Sequence, residues 1–137
     1  MDYCDLHLHS TASDGTDSPE ALAFLAKKQG LSAIALTDHD TTSGIEAAQA
    51  AAKKHKIDFV PGIELSVTPQ SLTVDRQQVP RGTFHLLGLW IEHDHPTLQA
   101  VQTSLFEARP QRNPQMIAKL QQLGVDIEYE VAVELVL

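Results

Sequence analysis

The sequence has one cysteine, no long apolar run and a shortage of cations, and each scarcity removes a class of protein. Cys4 has no second cysteine to pair with, so an internal disulfide is excluded. No stretch approaches the roughly 18 consecutive apolar residues of a membrane-spanning helix. The opening Met1-Asp2-Tyr3-Cys4-Asp5 has neither the basic nor the apolar region of a signal peptide. Together these features predict a cytoplasmic protein with no membrane partner. Lys and Arg number 10 against 18 Asp and Glu, a formal net charge of -8. That balance speaks against stable binding of duplex DNA, which needs a basic surface. It leaves a phosphorylated substrate open, because bound divalent cations concentrate positive charge at one spot. Internal repeats and low-complexity segments are also missing. What remains is a chain 42% hydrophobic, enough for a packed core, with seven histidines in 137 residues.

The hydrophobic pattern predicts strands alternating with helices. Residues 3–9 alternate, with Cys4, Leu6 and Leu8 on one face and Asp5, His7 and His9 on the other. Cys4 is expected in the core. A polar loop follows, then Ser18-Pro19 gives an N-cap and a first-turn proline for a helix ended by Gly30. Residues 33–37 read as a strand buried on both faces, and 45–55 as an Ala-rich helix. A strand over 58–60 is expected to break at Pro61-Gly62 and resume over 63–67. Residues 68–82 read as a polar loop or loose hairpin, and 84–91 as a strand. Two helices are expected over 96–109 and 114–123, and the tail from 125 to 137 fits either a strand plus helix or a helix. The order implies a parallel sheet or barrel, with the chemistry at the C-terminal ends of the strands.

Polar residues fall at those ends. His7 and His9 sit at i and i+2 on a strand, on one face and roughly 6.5–7 Å apart along the chain. Two imidazoles so placed can converge on one cation or serve two, although two unrelated polar residues would look the same. Asp14 precedes Gly15, which is ordinary turn chemistry, but it follows the strand with the histidines. His39 lies between Asp38 and Asp40 at the end of a buried strand. Those carboxylates can orient its imidazole, or one can cap the next helix. Glu64 sits in the apolar run Ile63-Glu64-Leu65, where a carboxylate is costly to bury unless paired or bound to metal. His85 lies in the apolar run Phe84-His85-Leu86, where a core histidine is the simpler reading if it stands alone. Asp5 shares the face of His7 and could hydrogen-bond its ring. His55 reads as a solvated helix-end residue, and His93 and His95 as turn residues. Arg109 and Arg112 form a close pair suited to phosphate through the guanidinium fork, or simply a solvated helix end.

Taken together, these segments resemble the PHP family, named for polymerase and histidinol phosphatase. Asp5-Leu6-His7-Leu8-His9-Ser10-Thr11-Ala12-Ser13-Asp14-Gly15 is similar to its first motif and Thr37-Asp38-His39-Asp40-Thr41-Thr42 to its second. Pro61-Gly62-Ile63-Glu64-Leu65-Ser66 resembles the Gly-x-Glu segment, and Phe84-His85-Leu86-Leu87-Gly88 the next His-bearing strand. The resemblance runs from residue 3 to about 124. It is strongest to the bacterial branch that removes phosphate from nucleoside 3',5'-bisphosphates and trims short RNA from the 5' end.

By that resemblance, His7, His9, Asp14, His39, Glu64 and His85 hold two or three divalent ions of the Zn, Mn or Fe type, with Glu64 bridging two of them. His39 and Glu64 then carry the catalytic site, and Arg109 or Arg112 contacts the phosphate of a nucleotide or short oligonucleotide. The implied fold is α/β, the N-terminal part of a distorted (β/α)7 barrel over residues 1–95, with the start of a helical insertion over 96–137. Family members continue beyond this length to further ligands, so the chain is expected to be truncated and to self-associate through open sheet edges. Two other readings stay open. An amidohydrolase-type C–N hydrolase also opens with H-x-H, but its usual bridging lysine has no counterpart at a strand end here. An incomplete or inactive metal-binding module needs no catalysis at all.

Overall fold

The computed structural model describes residues 3–67 and 84–130. The expected loop over 68–82 and the tail from 131 lie outside the described residues. The chain forms two compact units, Met1–His95 and Pro96–Leu137.

The first unit is α/β. Its described elements are β1 (Tyr3–Leu8), α1 (Pro19–Lys28), β2 (Leu31–Leu36), α2 (Ile45–His55), β3 (Asp58–Val67) and β4 (Phe84–Leu89). They build one sheet in the order β1-β2-β3-β4. β1 to β3 are parallel, each joined to the next through a helix, as the alternation predicts. β4 departs from the all-parallel expectation and runs antiparallel to β3. No helical pattern separates these two strands in the sequence, and an antiparallel neighbour needs no helical crossover.

Ser18 caps α1, its hydroxyl accepting from Ala21 N at 3.2 Å, and Pro19 takes the first turn. Helices α1 and α2 pack on each other and over β2 and β3. The core between them is made of Ala23, Ala26, Ile34, Ala51, Ala52 and Ile57, with Leu8, Leu31 and Phe59 against it. Small alanines on both helices let them lie close together on the sheet. Cys4 is exposed rather than in the core. It lies near the start of β1, an edge strand of the described sheet.

The expected break at Pro61-Gly62 is a change of partner within one strand. β3 runs unbroken from Asp58 to Val67. Its first half pairs with β2 as far as Leu36↔Pro61, and its second half pairs with β4 from Gly62↔Leu89 onward. Proline lacks an N–H but keeps its carbonyl, and Pro61 O accepts from Ile91 N at 3.2 Å. At Gly62 the neighbouring strands crowd in. An added Cβ would lie 2.7 Å from Thr37 Cγ2 and 3.0 Å from the carbonyl oxygens of Leu36 and Gly88.

The second unit holds α3 (Pro96–Gln122), one continuous helix where two were expected. Pro110 and Pro114 lie inside it. Spaced four apart, they fall on one face, and the φ that proline imposes is close to helical. Among the described residues no helix is long and apolar enough to cross a membrane.

Candidate metal centre

Each polar segment singled out in the first unit arrives at the same end of the sheet. His7 and Asp5 come from β1, with His9 just beyond it; Glu64 and His85 come from β3 and β4. His39 follows β2 and is carried to β3 by an isolated parallel bridge to Glu64, where Glu64 N donates to Asp38 O and Asp40 N to Glu64 O, at 3.2 and 3.0 Å. In the antiparallel ladder Ser66 faces His85, so Glu64, two residues away, has His85 as its diagonal neighbour.

Glu64 is the buried centre. Its Oε2 lies 2.8 Å from His7 Nε2 and 3.0 Å from His9 Nε2, and its Oε1 lies 2.8 Å from His85 Nδ1. His39 Nδ1 stands 3.9 Å from Oε2. Asp14 closes the other side, 3.3 Å from His9 Nδ1 and 3.6 Å from His39 Nε2. The four rings form a row, with centroids 5.1 Å apart for His7 and His9, 4.6 Å for His9 and His39, and 4.8 Å for His39 and His85. Burial pushes the Glu64 carboxyl upward, and this is the largest single influence on it. Hydrogen bonds to His7 and His85 and the charges of His39 and His7 together outweigh it, so the group sits below the ordinary carboxylate range.

The cluster offers three sets of ligand atoms, each within 4.8 Å of one another: His7–His9–Glu64, His9–Asp14–His39 and His39–Glu64–His85. Glu64 belongs to two of the sets, so one carboxylate can serve two cations. Among the described residues, two buried ring atoms, His9 Nδ1 and His39 Nδ1, make no hydrogen bond. A buried polar atom left unpaired costs about 1–3 kcal/mol, and a cation would offset that cost. The residues therefore fit divalent metal.

The structure thus brings His7, His9, Asp14, His39, Glu64 and His85 together. None of the three sets includes His55, His93 or His95. Arg112 is exposed on α3 in the second unit, and the Arg109 side chain lies outside the described residues. Asp5 does not reach the His7 ring; its carboxylate accepts from His7 N at 3.2 Å. Neither Asp38 nor Asp40 caps α2, whose N-cap is Gly44 with no side-chain bond. Asp40 instead takes Ser66 N at 2.7 Å, and Asp38 takes Ser10 and Ser13. The two serines were missed. Their signal was available, since a buried Asp needs donors and Ser10 and Ser13 stand next to the His9 that must meet His39.

Residues 5–127 match the PHP domain family. The chain belongs to the PHP family. A 5'-3' exoribonuclease of Haemophilus influenzae is 38% identical over 128 residues, covering 93% of this chain and 43% of that protein. A 3',5'-nucleoside bisphosphate phosphatase of Chromobacterium violaceum is 38% identical over 125 residues, covering 91% of this chain and 40% of its own length. A solved Chromobacterium violaceum protein described as an amidohydrolase, with bound sulfate and no metal, superposes with a TM-score of 0.79 at 36% identity. That match covers 96% of this chain and 43% of the solved one. The chain thus spans less than half the length of these PHP relatives.

Proposed function

We propose that this chain is part of a metal-dependent phosphoesterase that hydrolyses phosphomonoesters of nucleotides or short oligonucleotides. One observation carries the reading: a buried carboxylate, Glu64, with imidazoles from β1, the end of β1 and β4 within 3.0 Å of its two oxygens. The names of the two phosphoesterase relatives support the substrate class.

His7, His9, Asp14, His39, Glu64 and His85 would hold two or three divalent ions of the Zn, Mn or Fe type. When bound, such ions supply Lewis acidity toward a phosphoryl oxygen and toward attacking water. The protein's own contribution is position and charge. Glu64 directs one oxygen toward His7 and His9 and the other toward His85, which suits a bridging ligand. His39 joins the Asp14 side of the cluster to the Glu64 side. Arg109 and Arg112 are proposed as phosphate contacts on guanidinium chemistry alone. The sheet belongs, in this reading, to a (β/α)7 barrel, and the second unit to the start of a helical insertion. A single unpaired cysteine suits a reducing compartment such as the cytoplasm.

The deciding experiment pairs metal analysis of the purified protein with phosphate release from adenosine 3',5'-bisphosphate. Bound Zn, Mn or Fe with release of phosphate is expected, and a metal-loaded protein inert toward this substrate would overturn the reading. The likeness to a protein described as an amidohydrolase favours a second reading, hydrolysis of a C–N bond. Turnover of a cyclic amide but not of p-nitrophenyl phosphate would decide for it. Against it, Lys27, Lys28, Lys53, Lys54 and Lys119 lie on helices and Lys56 caps α2, so no lysine stands at the end of a described strand where a bridging ligand would be needed.

A further inference from the structure

Asp38 is almost fully buried, at 1% exposure, and is not one of the cluster's ligand atoms. Its carboxylate is engaged elsewhere. Oδ1 accepts from Ser10 N at 2.7 Å and from Ser13 Oγ at 2.6 Å, and Oδ2 accepts from Ser10 Oγ at 2.7 Å. Ser10 is itself buried, and the loop is built around it. Ser10 O accepts from Ser13 N at 3.0 Å and from Gly15 N at 2.9 Å, and Ser10 Oγ accepts from Ala12 N at 3.1 Å. Asp14 rides on this loop with its side chain 67% exposed, so little else fixes it.

Ser13 also touches Asp14 directly. Its hydroxyl lies 3.3 Å from Asp14 Oδ1, the oxygen that faces His9. A hydroxyl has one proton to give. At 2.6 Å the Asp38 oxygen is the nearer acceptor, so Asp38 draws that proton and leaves Asp14 Oδ1 open toward the imidazoles.

We propose that Asp38 is a positioning residue for Asp14: it anchors the Ser10–Ser13 turn to the end of β2 and turns the Ser13 hydroxyl away from the Asp14 oxygen that faces His9. It thereby completes the His9–Asp14–His39 ligand set without touching a cation. This assignment rests on the metal reading above. It predicts selective damage, because the His7–His9–Glu64 and His39–Glu64–His85 sets contain no residue of that turn. Removing a group that orients a metal ligand commonly weakens binding about 10–100-fold.

The test is Mn2+ binding to the chelator-stripped chain, read as ion count and affinity by calorimetry, with circular dichroism as a check on folding. The chains compared are wild type, Asp14→Ala, Asp38→Asn and the double variant. Asparagine keeps the shape but offers one acceptor oxygen where the turn supplies three donors. Asp38→Asn is expected to weaken Mn2+ about 10–100-fold at one site only, the site that Asp14→Ala also loses. The double variant is expected to be no worse than Asp14→Ala, because a residue that acts through another adds nothing once that other is gone. Additive losses, loss at every site, or unchanged binding in Asp38→Asn would each overturn the assignment. If Asp38→Asn fails to fold, Ser13→Ala decides, since it keeps both Ser10 contacts. Weakening confined to the Asp14 site supports the proposal, and unchanged affinity overturns it. A wild-type chain that takes up none of Mn2+, Zn2+ and Fe2+ overturns the metal reading and this assignment together, whereas uptake indifferent to Asp38 overturns the assignment alone.

Discussion

β2 and β4 flank β3, and each leads a histidine to Glu64, yet different forces hold them. β2 is buried along its second half at Ile34, Ala35 and Leu36, and the burial continues through Thr37 and Asp38. Two helices cover it and its neighbour, and backbone bonds between Asp38, Asp40 and Glu64 carry His39 into place. β4 has Phe84, Leu86 and Leu87 exposed, and its described hold is the ladder to β3 plus the His85–Glu64 contact. The site is therefore half embedded in the fold and half laid onto it. Damage on the β2 side should cost stability and chemistry together, and damage on the β4 side should cost chemistry alone.

The largest expected effect tests the shared centre. On the proposed function, Glu64→Gln and His39→Ala should each lower phosphate release by the complete enzyme at least about 100-fold, roughly 2.7 kcal/mol in barrier. Near-normal turnover in both would remove Glu64 as the meeting point of the two sides. Next comes the core. Ile34→Ala should lower unfolding free energy by about 2–5 kcal/mol, whereas Leu86→Ala, half-exposed on β4, should stay within about 0.5 kcal/mol. Urea titration of the metal-free protein checks both, and equal losses would break the comparison. Cation binding sharpens it further. Mn2+ at about 100 times its Kd should add roughly 2.7 kcal/mol to wild-type stability. His85→Ala should shrink that gain while leaving the metal-free melting temperature unchanged.

The same contrast governs how much could be read from the sequence. The parallel β1-β2-β3 arrangement and both covering helices follow from local pattern, because each helix buries its own apolar stripe and each strand end carries its own polar residue. The convergence on Glu64 follows too, once His7, His9, His39 and His85 are all placed at strand ends. What the pattern hides is non-local. Pro61-Gly62 looks like a break, but the crowding of Leu36, Thr37 and Gly88 around Gly62 exists only after three strands assemble. The single helix through Pro110 and Pro114 runs against the local preference of proline. Asp38 reads as a helix cap or a partner for His39, because its true donors lie 25 and 28 residues away. Gly15 has a similar hidden reason. An added Cβ would come within 2.2 Å of His9 O, so the turn that presents Asp14 closes only with glycine there.

The smallest expected effect concerns the helix that covers β2. At the start of α1, Ser18 accepts from Ala21 N, and losing such a cap costs about 1 kcal/mol. Glu20 follows two residues later. A hydrogen bond to its own backbone, and then one to the Ser18 hydroxyl, hold its carboxyl below the ordinary value of 4.5 against a small opposing effect of burial. A carboxyl whose pKa is lowered by folding favours the folded state when ionised. Its contribution is therefore complete above the unfolded value and is lost as pH falls through the lower folded value. Melting curves of metal-free wild type and Glu20→Gln should differ slightly at pH 6, with wild type the more stable, and should converge once the pH has fallen below the lowered folded value. Ser18→Ala should narrow the pH 6 difference, because one of the two bonds that favour the charged form is gone. A gap that persists unchanged into acid would mean that the charge plays no part in capping α1. The cover over β2 would then rest on its apolar contacts alone.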